Sequence, residues 1–568
     1  MVERRLSCAG LCVLIIISLT FLSCSTGTAQ QPPSLSTTNY AGVLMWKGDP
    51  SNLGLYSSET TLTPANVNVN QFGKLGTFQA DGIIMGQPLY VSNVSLAPGG
   101  THNLIIVVTE NDSVYAIDAD NPSGGSLWER HYLDATNGIT PLADSFCGGP
   151  VMGGEVGISG TPYIDSSTGA LYFVSAIEQN GVPQQWLRSI DITSGKDFGA
   201  GSVQVQASVP GDGKGTENGQ IAFDPSLENQ RAGLTKVGGA ILVGWGSFSD
   251  CNLYHGWLMA FDPSTLNLLG AFNSTTQSQP VDVTTGPSSN GGAGSFWQGG
   301  AAPAVDSSGN IYVDAANGSF NADQGGNNYG DTLLKLTFSG SSFQIADWFT
   351  PSNADCYDEQ DLELGSGGVA LLPSSVTNGA NLAFTFSKEG RLFVVNMDTL
   401  GHYNAGGDNL IPQEFMIGNY TCDDTVSGGT EGPVWNRLYG DASYWNGNLY
   451  AGASNLQLKQ YQFQNGLLDP TPVETSPTAY GSRGANTVVS ANGNQNGIVW
   501  AYEKANSGLG VLHAYDATNV SNELWNSGMN QGRDGMGEGI GFATPVVVDG
   551  HVIAAYNKNV VVYGELSQ

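Results

Sequence analysis

"ENDSVYAIDADNPSGGSLW" occupies Glu110–Trp128, and "GLGVLHAYDATNVSNELW" occupies Gly508–Trp525. Both stretches carry apolar alternation, then Ala-x-Asp-Ala, a turn rich in Asn, Ser or Gly, and finally Leu-Trp. Alternation with a period of two marks a half-buried strand. Asn, Asp, Ser and Gly mark the place where a hairpin reverses. The same strand–turn–strand unit at both ends of one chain calls for a search for copies between them.

The copies are there. A Gly-rich entry leads into a short apolar strand, a second strand follows, a third ends in Ala-x-Asp or a relative of it, and a fourth ends in an aromatic. The first copy reads "GQPLYVSN", "NLIIVVTE", "SVYAIDAD", "SLWER", and the second reads "GTPYIDSS", "ALYFVSA", "WLRSIDITSGK". "GQIAFDPS", "AAPAVDSSG", "GGVALLPSS", "GDASYWNG", "NTVVSANG" and "ATPVVVDG" open six more. A four-stranded antiparallel sheet has two apolar faces that it cannot bury alone, and stacking such sheets around an axis buries both. The expected fold is therefore all-β: an eight-bladed β-propeller spanning 40–568 as a single domain. The eighth copy lacks a fourth strand. The upstream segment "AGVLMWKGD", with Trp46 where the template wants an aromatic, is assigned that place. An N-terminal strand would then close the ring and remove the exposed edges of an open sheet. Trp46, Trp128 and Trp525 are expected to dock one blade on the next.

Composition agrees with strands and turns. The chain has 568 residues, 78 of them Gly, with 40% hydrophobic and only 12% charged residues. The formal net charge is −31, with 19 Lys and Arg in all. A surface this acidic repels nucleic acid and anionic membranes, which excludes both as main partners. Solubility is the plain reason for such acidity; calcium or a cationic partner also suits it.

"MVERR" followed by "LCVLIIISLTFL" and "STGTAQ" has the order of a signal peptide, assigned to 1–29, with 30–39 as a short linker. "FLSC", ending at Cys24, also resembles a lipoprotein cleavage box. The apolar run is too short for a good membrane span, and nothing later in the chain resembles one. The mature chain is thus expected to be periplasmic, extracellular or lipid-anchored, and monomeric.

Outside the leader four cysteines remain: Cys147, Cys251, Cys356 and Cys422. Three pairings are open, and no CxxC spacing suggests structural zinc. A Cys356–Cys422 bridge would join the acidic loops "NADCYDEQDLEL" and "YTCDDTVSGG". It would bring Asp355 and Asp358 towards Asp423 and Asp424. Crowded carboxylates of this kind suit calcium, which takes six to eight oxygen ligands. By elimination Cys147 would meet Cys251 between neighbouring blades; two free thiols are the alternative.

The stretches quoted first, together with "SIDITSGKD" (Ser189–Asp197), resemble the repeat of pyrroloquinoline-quinone (PQQ) dehydrogenases. "ETTLTPANVN", "EVGISGTPYID", "YHGWLMAFD" and "DLELGSGG" narrow the likeness to a group of exported bacterial PQQ-like, quinoprotein alcohol dehydrogenase-like propeller proteins. The resemblance implies the eight-bladed fold and, as cofactors, PQQ with calcium. It also implies a quinone lying against a Trp and a ring made by two adjacent cysteines. This sequence has no Cys-Cys pair and no CxxCH haem site.

The Gly-flanked polar residues at the blade entrances are the candidates for chemistry: Glu155, Glu217, Trp297, Gln298, Glu363, Glu431, Arg483 and Glu538. Glycine admits close approach of backbone to ligand, and entrances from different blades converge on one axial pocket. Three function classes follow. One is a binding or scaffolding module for a protein, glycan or small molecule in the envelope or extracellular space. A second is a PQQ- and calcium-dependent dehydrogenase of alcohols or sugars. The third is a carbohydrate-active hydrolase or lyase using a pair of axial carboxylates.

Overall fold

A computed structural model describes residues 39–97, 99–143, 154–248, 250, 254–279, 291–419, 422 and 437–566. Eight antiparallel sheets, mostly four-stranded, form the blades of a β-propeller. Blade one runs outward from Leu89–Leu96 through Gly100–Val108 and Ser113–Asp118 to Ser126–His131. The middle strands are apolar on both faces because each face meets a neighbouring blade: Leu104, Ile105, Ile106, Val107 and Val108 are all buried.

The Ala-x-Asp signature has a local cause. The Asp carboxylate caps its own hairpin turn by accepting a backbone N–H two residues on. Asp118 accepts from Asp120 at 3.0 Å, and Asp191 from Thr193 at 2.9 Å. Asp262 accepts from Ser264 at 2.9 Å and Asp516 from Thr518 at 2.9 Å. These are Asx turns. The turn also offers a carbonyl to the preceding blade. Trp128 donates its indole N–H to Ile192 O at 2.8 Å, and Tyr172 its hydroxyl to Pro263 O at 2.9 Å. Lys335 donates to Met397 O at 2.7 Å, and Tyr450 to Ala517 O. Trp128 lies so close over Gly195 that a Cβ there would sit 2.7 Å from the indole, at a φ of +64° that side chains resist.

An N-terminal strand closes the ring, as expected, but it is a different segment. The fourth strand of blade eight is Phe72–Gln79, paired antiparallel with Asn559–Glu565; it is not "AGVLMWKGD". Phe72 packs its ring against Trp525 of blade seven, centroids 5.0 Å apart, and against Trp500 at 5.5 Å. "AGVLMWKGD" instead begins a strap along the inner strands. Ala41 O accepts from Ser92 N and Leu44 O from Ile164 N. Pro50 O, Ser51 O, Leu53 O and Gly54 O then accept from Val305, Leu371, Tyr444 and Val489. The strap therefore touches blades one, two, four, five, six and seven in order. The inward strand edges need hydrogen-bond partners, and the strap's carbonyls supply them. Trp46 is buried against Ala301 and Ala302. Lys47, fully buried, reaches from there to Ala442 O of blade six at 2.8 Å.

Two smaller differences matter. "GQIAFDPS" contributes Gln220–Ala222 to a separate hairpin with Ser208–Pro210, and Thr235–Val237 is the strand that abuts Ala240–Ser247 in blade three. The acidic stretch after Asn353 folds as a short helix, α1 (Ala354–Gln360). Cys356 on α1 is joined to Cys422; Cys147 and Cys251 lie outside the described residues. Among the described residues no helix is long and apolar enough to cross a membrane.

Candidate functional site

Blade entrances and hairpin turns converge on one cavity of about 600 Å³, within the range of small-molecule sites. Trp297, Glu363, Arg483 and Glu538 line it. Gln298 lies behind this wall, fully buried, donating to Asp314 O at 2.6 Å. Glu155 and Glu217 are exposed and lie outside the lining. Glu431 falls outside the described residues, as do Asp423 and Asp424. Asp355 is exposed on α1, and Asp358 is buried on the same helix. Among the described residues no group of three His, Cys, Asp or Glu side chains is arranged to hold a metal.

The entrances supply only part of the wall. Lys388 comes from the turn between Leu382–Phe386 and Arg391–Asn396 of blade five. Gly390, at φ +91°, allows that turn. The Lys388 ammonium lies 2.5 Å from Asp361 Oδ1 and 2.5 Å from Glu363 Oε1. Asp361 terminates α1 in a left-handed conformation, φ +54°. Its backbone carbonyl and its carboxylate both accept from Arg437, at 3.1 and 3.3 Å. Burial opposes the charge on Lys388, but Glu363 and Asp361 outweigh it and hold its pKa above that of a free lysine. Burial likewise opposes the charge on Asp361, and Lys388 and Arg437 keep its pKa low. Burial pushes Glu363 up against the pull of Lys388. Both carboxylates are matched to Lys388.

Three aromatic rings form one face of the cavity. Trp297 meets Phe542 edge-on, centroids 5.8 Å apart, and Phe542 meets Tyr439 edge-on at 6.2 Å. Lys388 stands 5.5 Å from the Trp297 ring centre, and the Arg483 guanidinium 5.1 Å from that of Tyr439. Trp297 can sit here because residue 246 is Gly; a Cβ there would come within 2.7 Å of the Trp297 Cβ.

Arg231, from the loop before the first strand of blade three, reaches the floor of the cavity. Burial pulls its pKa down to about 10, with Glu110 and Asp441 acting in the other direction. Asp441 stands 4.0 Å from Lys47 of the strap. Burial pushes Asp441 up to about 7 against Lys47 and Arg231. The floor of the cavity thus meets the strap.

Arg231, Lys388, Arg437, Tyr439 and Phe542 were not among the sequence candidates. Lys388 reads as an ordinary turn lysine. Arg231 in "NQRAG" had a usable signal: a scarce cation beside glycine at a blade entrance, in a strongly acidic chain.

No family model and no curated protein matches the sequence. Solved structures do match by fold. The quinohemoprotein alcohol dehydrogenase ADHIIG of Pseudomonas putida HK5 superposes with a TM-score of 0.60 at 14% identity. That match covers 93% of this chain and 81% of that one. A quinohemoprotein alcohol dehydrogenase from Comamonas testosteroni gives 0.55 at 14% identity, covering 92% and 80%. A europium-containing methanol dehydrogenase gives 0.57 at 13%, covering 92% and 98%. The chain has the quinoprotein-dehydrogenase-like propeller fold.

Proposed function

We propose that the protein is a small-molecule-binding propeller whose axial cavity takes a flat, anionic ligand. One observation carries this reading: the make-up of the cavity wall. Trp297, Tyr439 and Phe542 form an aromatic face, and five of the chain's 19 Lys and Arg residues line the same cavity. In a chain of formal net charge −31, these five cations outnumber the four carboxylates of the same wall, Asp250, Asp361, Glu363 and Glu538. Flat rings pack against aromatic faces, and carboxylates pair with guanidinium groups in a planar fork.

The fold likeness favours one member of the class, the tricarboxylate quinone PQQ. The cavity's volume, aromatic face and cations fit it. Trp297 and Phe542 would hold its ring, and Arg483 and Lys504 would meet carboxylates at the mouth. Bound there, PQQ would supply a two-electron acceptor for the oxidation of an alcohol or sugar. Calcium does not fit the carboxylates present, because the Lys388 ammonium already lies against both Asp361 and Glu363. Asp250, also in the wall, accepts from Ser247 at 2.7 Å and from Tyr254 at 2.9 Å. Export belongs to the same reading, and the Cys356–Cys422 bridge supports an oxidising compartment.

The test is calorimetric titration of PQQ into the protein and into Trp297→Ala. Binding near one equivalent, weakened at least tenfold in the variant, is the expected result. No binding, or equal affinity for both proteins, would overturn the reading.

A further inference from the structure

The cations of the cavity fall into two groups. Lys388 and Arg437 are matched by Asp361 and Glu363. Arg231, Arg483 and Lys504 have no carboxylate within ion-pair distance among the described residues. Arg231 is the unusual one, since its residue is only 6% exposed. The single hydrogen bond of its side chain among the described residues is a long one, Nη1 to Ser159 O at 3.3 Å. A guanidinium has five N–H donors, so most of its capacity is unused. Glu110 and Asp441 favour its charge from beyond ion-pair distance. Glu110 accepts from Gly157 N at 2.8 Å and from Ser159 Oγ at 2.9 Å, and Asp441 stands with Lys47.

The backbone is shaped around this side chain. A Cβ at Gly300 would lie 2.5 Å from Arg231 Nη1, and Gly300 has a φ of +103°. Gly300 belongs to the same turn as Trp297. Charges that deep in a protein are ordinarily paired. From Arg231 the wall continues through Trp297, Phe542 and Tyr439 to Arg483, which is exposed at the mouth. A cation without an ion-paired carboxylate among the described residues therefore stands at each end of this wall.

We infer that Arg231 is the inner oxyanion subsite of the axial cavity, and that the ligand is a flat molecule carrying at least two anionic groups, one received by Arg231 and one by Arg483 with Lys504. This rests on the reading of the cavity as a site for flat anions, and it adds charge number and direction. The ligand enters with one oxyanion leading, and a flat monoanion leaves one end unmatched.

Calorimetry with naphthalene-2,6-dicarboxylate, 2-naphthoate and PQQ tests it on the wild-type protein and on Arg231→Met, Arg231→Lys and Arg483→Ala. The dicarboxylate should bind the wild type at least tenfold more tightly than 2-naphthoate. Arg231→Met should erase that difference, Arg231→Lys should restore part of it, and Arg483→Ala should also reduce it. Equal affinity of wild type and Arg231→Met for the dicarboxylate would overturn the subsite while leaving the cavity a site for flat anions. Failure of all three probes to bind the wild type would overturn the underlying reading as well.

Discussion

Lys388 lies 2.5 Å from Glu363, and both side chains are more than nine-tenths buried in the cavity wall. The same ammonium meets Asp361 at an equal distance. The lysine therefore stands between two carboxylates in the wall of the axial cavity. The axial carboxylates carry their own counter-ion in the sequence.

Removing that counter-ion should be costly. Lys388→Met leaves two buried carboxylates without their shared cation, and stability should fall by about 3–5 kcal/mol, as for one partner lost from a buried pair. Millimolar calcium should recover part of the loss in the variant and leave the wild type unchanged. Thermal unfolding with and without calcium reads both effects.

Asp314 gives a pH dependence. It is fully buried, accepts from the Thr385 hydroxyl, and burial pushes its pKa up to about 7. The unfolded chain releases that proton near pH 4, while the folded chain keeps it until about 7. The folded state binds the extra proton between these values, so the contribution of this group to stability is greatest below pH 4 and falls as pH rises to 7. The slope from this group is at most about 1.4 kcal/mol per pH unit. Asp314→Asn should remove that slope in urea unfolding measured across the same window.

Ring closure rests on Phe72, buried between Trp525, Trp500 and Tyr563. Phe72→Ala should cost about 3–5 kcal/mol. Leu75, on the same strand but 43% exposed, should cost within about 0.5 kcal/mol as Leu75→Ala. Equal costs would remove Phe72–Gln79 from its role as the closing strand.

The Cys356–Cys422 bridge spans 66 residues and anchors α1, whose terminal Asp361 faces Lys388. The double variant Cys356→Ser/Cys422→Ser should lose about 2–5 kcal/mol. Reducing agent should lower the melting temperature of the wild type and leave that of the double variant unchanged.

The fold was legible because its signals are local. Asp118, Asp191, Asp262 and Asp516 each cap a turn within two residues, so a repeat of short range disclosed the blades. Outer strands were harder to read. "DFGAGSVQ" at Asp197–Gln204 and "FGKLGTFQ" at Phe72–Gln79 are half exposed and interrupted by glycine. The apolar "AGVLMWKGD" consequently took the closing place on paper. Its hydrophobicity belongs to a strap laid along the inner strands, a long-range arrangement with no periodicity to betray it. The site divides in the same way. Trp297, Glu363, Arg483 and Glu538 sit at Gly-flanked entrances, whereas Lys388 acquires its position only when a blade-five turn folds back over the end of α1.

Binding of a flat anion that needs no metal is the central claim, and PQQ titrated by calorimetry in EDTA and again in calcium tests it most directly. The account predicts about one equivalent bound in both buffers, with affinities that agree within about twofold, since Lys388 already supplies the cation. Absence of binding in both buffers, or binding only with calcium, would contradict it.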